Sequence, residues 1–201
     1  MATGHDVSFW RTVKWDIAST VDDAGRTRAQ YLTMVAGKIL IGPQVHAVFV
    51  YRVSTLLWRW RLYPFAMMLR YLTLVLWGME IHPGATIGPG LCVVHTGGVL
   101  IGRGTVLGSN CRLAQGTNIG EMGRVSRKGF GRVPVLGDNV TVGTHSIIAG
   151  PVTIGDGAVI GALSVVTIDI PADAVAGGVP ARILRENAGY SSLGYDDGGP
   201  S

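Results

Sequence analysis

Of the five histidines in this chain, His95 is the one whose setting points to chemistry. It stands in the stretch V-V-H-T-G-G, where an otherwise regular aliphatic pattern slips by two positions, from Val99 to Ile101. Functional sites tend to lie at irregularities inside a strict repeat. An imidazole with an ordinary pKa of about 6.5 takes up and releases protons near neutrality, which suits it to general acid–base work. Glu80 lies fifteen positions earlier, in M-E-I-H-P-G-A. A carboxylate held against an imidazole fixes its tautomer and stabilises the imidazolium. Taken alone, Glu80 reads as a solvated charge at a domain junction. His46, His82 and His145 read as hydrogen-bonded structural residues. A zinc site of three histidines needs two of them closely spaced, and His82, His95 and His145 lack that pair. No Walker or Rossmann glycine pattern is present.

The frame that must position these residues is a six-residue beat. Aliphatic anchors fall at Ile81, Ile87, Val93 and Val99, resume in a shifted frame at Ile101, Leu107, Leu113 and Ile119, and return at Leu136, Val142, Ile148, Ile154, Ile160 and Val166. Period six fits neither a helix nor a simple strand, so turns in a coiled sheet must set it. Small residues four places after many anchors (Ala85, Thr105, Cys111, Ser146, Ala158 and Ser164) are expected to face a tight corner or the interior. Three short strands make a coil of about eighteen residues, and about five such coils follow. This ordering stacks Ile101 on Ile119 and Leu136 on Ile154, and predicts a hexapeptide β-helix over residues 79–186. Residues 121–135, E-M-G-R-V-S-R-K-G-F-G-R-V-P-V, interrupt the beat and must loop out. Solenoid insertions of this kind commonly form a binding face.

Residues 1–78 follow helical spacing instead. Helices are expected over 7–22 and 27–38, from Pro43 with Val45, Val48, Phe49, Val53, Leu56, Leu57 and Trp60 on one face and Arg52 and Arg59 off it, and again after Pro64. The apolar segment 62–78 holds a proline and an arginine and is too short for a comfortable membrane span of about 20 residues. Packing of this helical cap on the coil or on another subunit is favoured over attachment to a membrane surface. The polar, glycine-rich tail 187–201 reads as disordered.

With 47% hydrophobic and 15% charged residues, the 201-residue chain can bury a substantial core. Its net charge of +4 is mild and its arginines are scattered, which argues against nucleic-acid binding. Cys92 and Cys111 both fall in the repeat and read as buried free thiols. The opening MATGHDVSFW lacks the apolar core of a signal peptide, so a cytoplasmic protein is expected.

Four segments (MEIHPGATIGPG, VVHTGGVLIG, the loop near Arg132, and GGVPARIL), with a helical stretch carrying GPQVHAVFVYRVSTLLW, make residues 10–185 resemble the serine O-acetyltransferase family of hexapeptide-repeat acyltransferases. The resemblance implies an α+β chain: an N-terminal α-helical domain followed by a left-handed parallel β-helix. It implies transfer of acetyl from acetyl-CoA to the hydroxyl of serine or a related amino acid, without metal. His95 is then the general base and Glu80 its partner. Arg132 matches the arginine that contacts the amino-acid carboxylate, and Asp22 and Asp23 are the candidates for an acidic serine ligand. Gly143, Thr144, Gly161 and Ala162 match positions that line the CoA groove, although the repeat alone would also place them. The resemblance further implies a homotrimer with sites between adjacent prisms, with pairing of trimers through the helical domain as an extension.

Departures from the family pattern bear on the acceptor. Val94 replaces an aspartate before the histidine, Val133 replaces a histidine in the loop, and Glu121 and Met122 replace a glycine-threonine pair. Fewer polar partners for a charged substrate would cost affinity. O-acetylation of a sugar or polysaccharide hydroxyl is therefore the alternative; a zinc hydratase and a non-catalytic scaffold rank below it. The chain ends Gly-Pro-Ser, lacking the terminal isoleucine through which family members dock into the sulfhydrylase of cysteine biosynthesis, so no such complex is expected.

Overall fold

The computed structural model describes residues 8–21, 25–121 and 133–186. Four helices open it: α1 (Phe9–Ala18), α2 (Arg28–Ile41), α3 (Pro43–Arg59) and α4 (Tyr63–Trp77). A capping box starts α2, with Thr27 and Gln30 each accepting a backbone N–H from the other. It runs to Ile41, beyond the expected end at residue 38. Helix α1 closes earlier than expected because the hydroxyls of Ser19 and Thr20 donate back to the carbonyls of Asp16 and Ile17. Pro43 and Pro64 each occupy a first turn, where a missing N–H costs nothing. Gly78, at φ 64°, ends α4 in a left-handed turn and hands the chain to the first strand.

The strands follow coil by coil. The first coil is β1 (Met79–Ile81), β2 (Thr86–Ile87) and β3 (Cys92–Val94); the second is β4 (Val99–Ile101), β5 (Val106–Leu107) and β6 (Arg112–Ala114). The third is β7 (Asn118–Gly120), β8 (Val135–Leu136) and β9 (Thr141–Val142); the fourth is β10 (Ile147–Ala149), β11 (Thr153–Ile154) and β12 (Val159–Ile160). A fifth coil consists of β13 (Val165–Val166), a single bridge from Ile170 to Ile154, and β14 (Val175–Gly177). An antiparallel strand, β15 (Arg182–Arg185), closes the end. Three parallel faces result, ordered β1-β4-β7-β10-β13, β2-β5-β8-β11 and β3-β6-β9-β12-β14.

Register follows the anchors. Ile101 pairs with Ile119 and Leu136 with Ile154, as the beat requires. Every anchor from Ile81 to Val166 is buried, and so are the small residues from Ala85 to Ser164 that follow them. Each buried Leu, Ile or Val contributes roughly 1.5–3 kcal/mol, so the prism core is the main source of stability. Cys92 and Cys111 are buried free thiols; burial pushes the Cys111 thiol up to about 12, which leaves it unreactive.

Arg52 departs from expectation. It is buried, not on the solvent face of α3, and joins the helices to the prism. Its Nε donates to Asp16 Oδ2 at 2.8 Å and its Nη2 to Asp16 Oδ1 at 3.0 Å, while Nη1 and Nη2 reach the carbonyls of Ile87 and Gly88 at 2.7 Å each. Asp16 Oδ1 also accepts the N–H groups of Gly90 and Leu91 at 2.9 Å. Helical spacing alone cannot reveal this, because Arg52 is turned inward by a carboxylate from another helix.

Candidate active site

His95 sits where the first coil hands over to the second. Ile81, Ile87 and Val93 pair with residues twenty positions later, Ile101, Leu107 and Leu113. Ile101 then pairs with Ile119, eighteen positions later. The two extra residues therefore lie between Val93 and Ile101, in the turn that carries His95. His95 is exposed and left-handed, at φ 63°. That conformation costs a non-glycine residue on the order of 1–2 kcal/mol and is kept where surroundings impose it.

The same edge of the prism carries the corner after β6, β9 and β12. Gly98 and Gly116 stack there, followed by His145 and Leu163, both left-handed. His145 N–H donates to Gln115 O at 2.9 Å and Leu163 N–H to Thr144 O at 2.8 Å, which locks successive corners together. Gly143, Thr144, Gly161 and Ala162 occupy this edge in the third and fourth coils. A Cβ on Gly143 would lie 2.5 Å from Ala162 N, so glycine permits the close approach. Thr144 Oγ1 donates to Gln115 O at 3.0 Å, and the hydroxyls of Ser146 and Ser164 donate to Gly161 O at 2.8 and 2.7 Å. With coils roughly 4.8 Å apart, Ala162 and His95 mark the ends of a track about 15 Å long.

Glu80 is the middle residue of β1, with Met79 and Ile81 buried on either side of it and its own side chain directed out of the prism. Gly98 N–H donates to Gly78 O at 2.8 Å, bringing the turn that carries His95 beside the start of β1. The backbone thus places the two stretches next to each other. The side chains are not joined: among the described residues no hydrogen bond links Glu80 to His95, and the Glu80 carboxylate accepts from Arg70 Nη2 instead. Helix α4 packs across β1 and delivers that guanidinium, while Arg70 Nε is buried without a partner among the described residues. Met67, Arg70, Tyr71, Leu74 and Glu80 line an open cleft of about 260 Å³. His95 is not part of its lining.

His82 has a structural role. Its Nδ1 accepts from Gly84 N–H at 2.9 Å and its ring meets Trp58 edge-on at 5.1 Å. Burial first, then the nearby Arg70 and Arg103, lower its pKa to about 4, so it is neutral at physiological pH. His46 Nε2 lies 2.6 Å from Ile39 O. Among the described residues no three His, Cys, Asp or Glu side chains converge as a metal site would need.

Asp22, Asp23 and Arg132 lie outside the described residues, as do Arg124, Arg127 and Lys128. The interrupting loop leaves after Glu121 and returns at Val133, so that Ile119 pairs with Ile148, twenty-nine positions on. A Cβ on Gly104 would lie 3.7 Å from Val133 Cγ2, which places the returning chain against the second coil. Arg70 and the Asp16–Arg52 pair are the two features that sequence reasoning missed, and no spacing rule would have found them.

A prism of six-residue repeats, with a histidine at a lengthened corner, is the build of a hexapeptide-repeat transferase, and residues 134–167 match the family model for the bacterial transferase hexapeptide (six repeats). The chain is 32% identical over 179 residues to a serine acetyltransferase of Bacillus subtilis, covering 89% of this chain and 79% of that one. It is 36% identical over 149 residues to that of Helicobacter pylori, covering 74% and 85%. It therefore belongs to the serine acetyltransferase family. The serine acetyltransferase of Synechococcus elongatus is 38% identical over 146 residues, 73% of this chain, and the match spans 59% of that protein's length. Among solved structures, Neisseria gonorrhoeae serine acetyltransferase superposes with a TM-score of 0.80 at 29% identity, over 96% of this chain and 72% of that one. The soybean enzyme complexed with serine gives 0.77 at 32%, over 88% and 70%. A serine acetyltransferase complex with CoA gives 0.75 at 29%, over 88% and 70%. The coil is the left-handed parallel β-helix of these structures.

Proposed function

We propose that this chain is an acetyl-CoA-dependent O-acetyltransferase acting on serine or a close amino-acid analogue. The observation that carries the reading is the exposed His95 in a lengthened corner, at one end of the edge holding Gly143, Thr144, Gly161 and Ala162. An extended CoA arm lying along that edge would deliver its thioester to the imidazole. The acceptor hydroxyl oxygen attacks the thioester carbonyl carbon as His95 takes its proton. The C–S bond then breaks, and the imidazolium returns the proton to the leaving thiolate. Placing the reactants together and supplying the base are the two contributions asked of the protein.

Glu80 is the proposed orienting partner of His95, reached when its carboxylate turns from Arg70 toward the imidazole. Arg132, Asp22 and Asp23 are the proposed contacts to the amino acid. The catalytic unit is a homotrimer, in which a neighbouring prism completes the crevice around the exposed imidazole. A coupled assay of thiol release, run with serine and with a panel of sugars, tests the reading. Turnover with serine is expected. Release with a glycan and none with serine would move the acceptor to a sugar, the reading that Val94 and Val133 would suit.

A further inference from the structure

We propose that the helical cap docks on an anionic lipid surface, lying on the bilayer through the outer side of α4 with the β-helix held away from it. Helix α4 leaves Phe65, Met68, Tyr71, Leu72, Val75 and Leu76 exposed. Their spacing makes a broad apolar stripe along one side of the helix. At its N-terminal end stand Arg59, Trp60, Arg61 and Tyr63, all exposed, with Trp60 67% accessible. Beyond its C-terminal end lies a second apolar knuckle. His46 contacts both Ile39 O and the Trp77 ring, and so brings the end of α2 to that end of α4. There Leu40 and Ile41 are 78% and 77% accessible.

Charge decides what covers this surface. Residues 24–79 contain Arg26, Arg28, Lys38, Arg52, Arg59, Arg61 and Arg70, and not one Asp or Glu. Arg52 is neutralised by Asp16 and Arg70 by Glu80, both from outside that stretch. Arg59 and Arg61 are exposed and make no ion pair among the described residues. A second copy docked by the same face would set cations against cations, with no carboxylate in either stretch to pair them. An anionic bilayer meets both requirements: it accepts the apolar stripe and attracts the flanking cations. Trp60 and Tyr63 suit the headgroup level, where amphipathic rings concentrate. Among the described residues no single helix is long and apolar enough to cross a membrane, and an apolar stripe on one side of a helix flanked by cations suits a helix that lies on the surface.

Flotation of the full-length protein with vesicles tests this. It should float with vesicles of phosphatidylcholine containing phosphatidylglycerol and remain behind with phosphatidylcholine alone, and added salt should weaken binding. R59Q/R61Q should lower the affinity for the anionic vesicles at least tenfold, and F65S/V75S should abolish flotation. Both pairs lie outside the proposed catalytic machinery, so thiol-release activity serves as the check that each variant is folded. Failure of the parent protein to float with anionic vesicles overturns the proposal. So does a fall in solution mass for F65S/V75S with vesicle binding unchanged, which would make this face a subunit interface.

Discussion

The carboxylate of Asp16 and the guanidinium of Arg52 meet at 2.8 Å in a buried junction between α1, α3 and the first coil. Six hydrogen bonds converge on this pair, so neither charge is left uncompensated. Removing one partner strands the other, together with backbone groups of Ile87, Gly88, Gly90 and Leu91. Asp16→Ala is expected to destabilise the fold by about 3–5 kcal/mol. Denaturant unfolding followed by circular dichroism checks this. A loss below about 1 kcal/mol would show that the junction is ornamental. Asp16→Ala combined with Arg52→Met should recover part of the loss, since no unpaired charge remains buried.

His95→Ala should lower kcat by about 10²- to 10⁴-fold, the usual contribution of a positioned base. The side chain is exposed, so the melting temperature should hardly move. Thiol-release kinetics on the purified variant decide the matter: unchanged turnover would remove His95 from the mechanism.

Glu80 and Arg70 separate orientation from packing. Glu80→Gln should lower kcat about tenfold or more if its carboxylate serves His95. Arg70→Met removes the competing cation and should leave kcat at least as high as in the parent protein. Equal losses in both variants would mean that the Arg70–Glu80 pair acts only as a strut between α4 and β1. The pH profile of kcat distinguishes the cases, because only an orienting carboxylate should alter it.

Gly143 and Gly161 make a paired test of the proposed CoA edge. At Gly143 a Cβ would press on Ala162 N at 2.5 Å, whereas at Gly161 the nearest atom, Ala176 O, is 3.5 Å away. Gly143→Ala should cost about 1–3 kcal/mol of stability through overpacking, and Gly161→Ala much less. Both should raise KM for acetyl-CoA while KM for serine stays within twofold. An unchanged KM for acetyl-CoA in both variants would move the cofactor track elsewhere.

His82 sets a pH dependence of stability. Its folded pKa is lowered to about 4 from 6.5, chiefly by burial, so the unfolded chain binds the proton more readily across that interval. Stability should therefore fall as pH drops from about 6.5 toward about 4 and lose this contribution to the slope below that. His82→Gln should flatten that part of a melting-temperature profile taken between pH 4 and 7.5. A profile unchanged by the substitution would assign the slope to other groups.

The sequence by itself determined the prism. A six-residue period is a local rule, repeated often enough that Ile81 to Val166 could be assigned inward positions and a vertical order before any contact was known. The same rule exposed the slip from Val99 to Ile101, and with it the irregular stretch that carries His95. Helical spacing likewise located α3 and α4, because Pro43 and Pro64 act on their own backbone. Only the tertiary structure decided the directions of the charged side chains. Arg52 reads as solvent-facing along its own helix and is buried because Asp16 arrives from another. Glu80 is set beside the His95 turn by strand register, yet is held by Arg70 because α4 folds back over β1. Periodicity records which backbone positions face inward; the partner a charge finds depends on which elements cross it, and that information is spread over residues far apart in the chain.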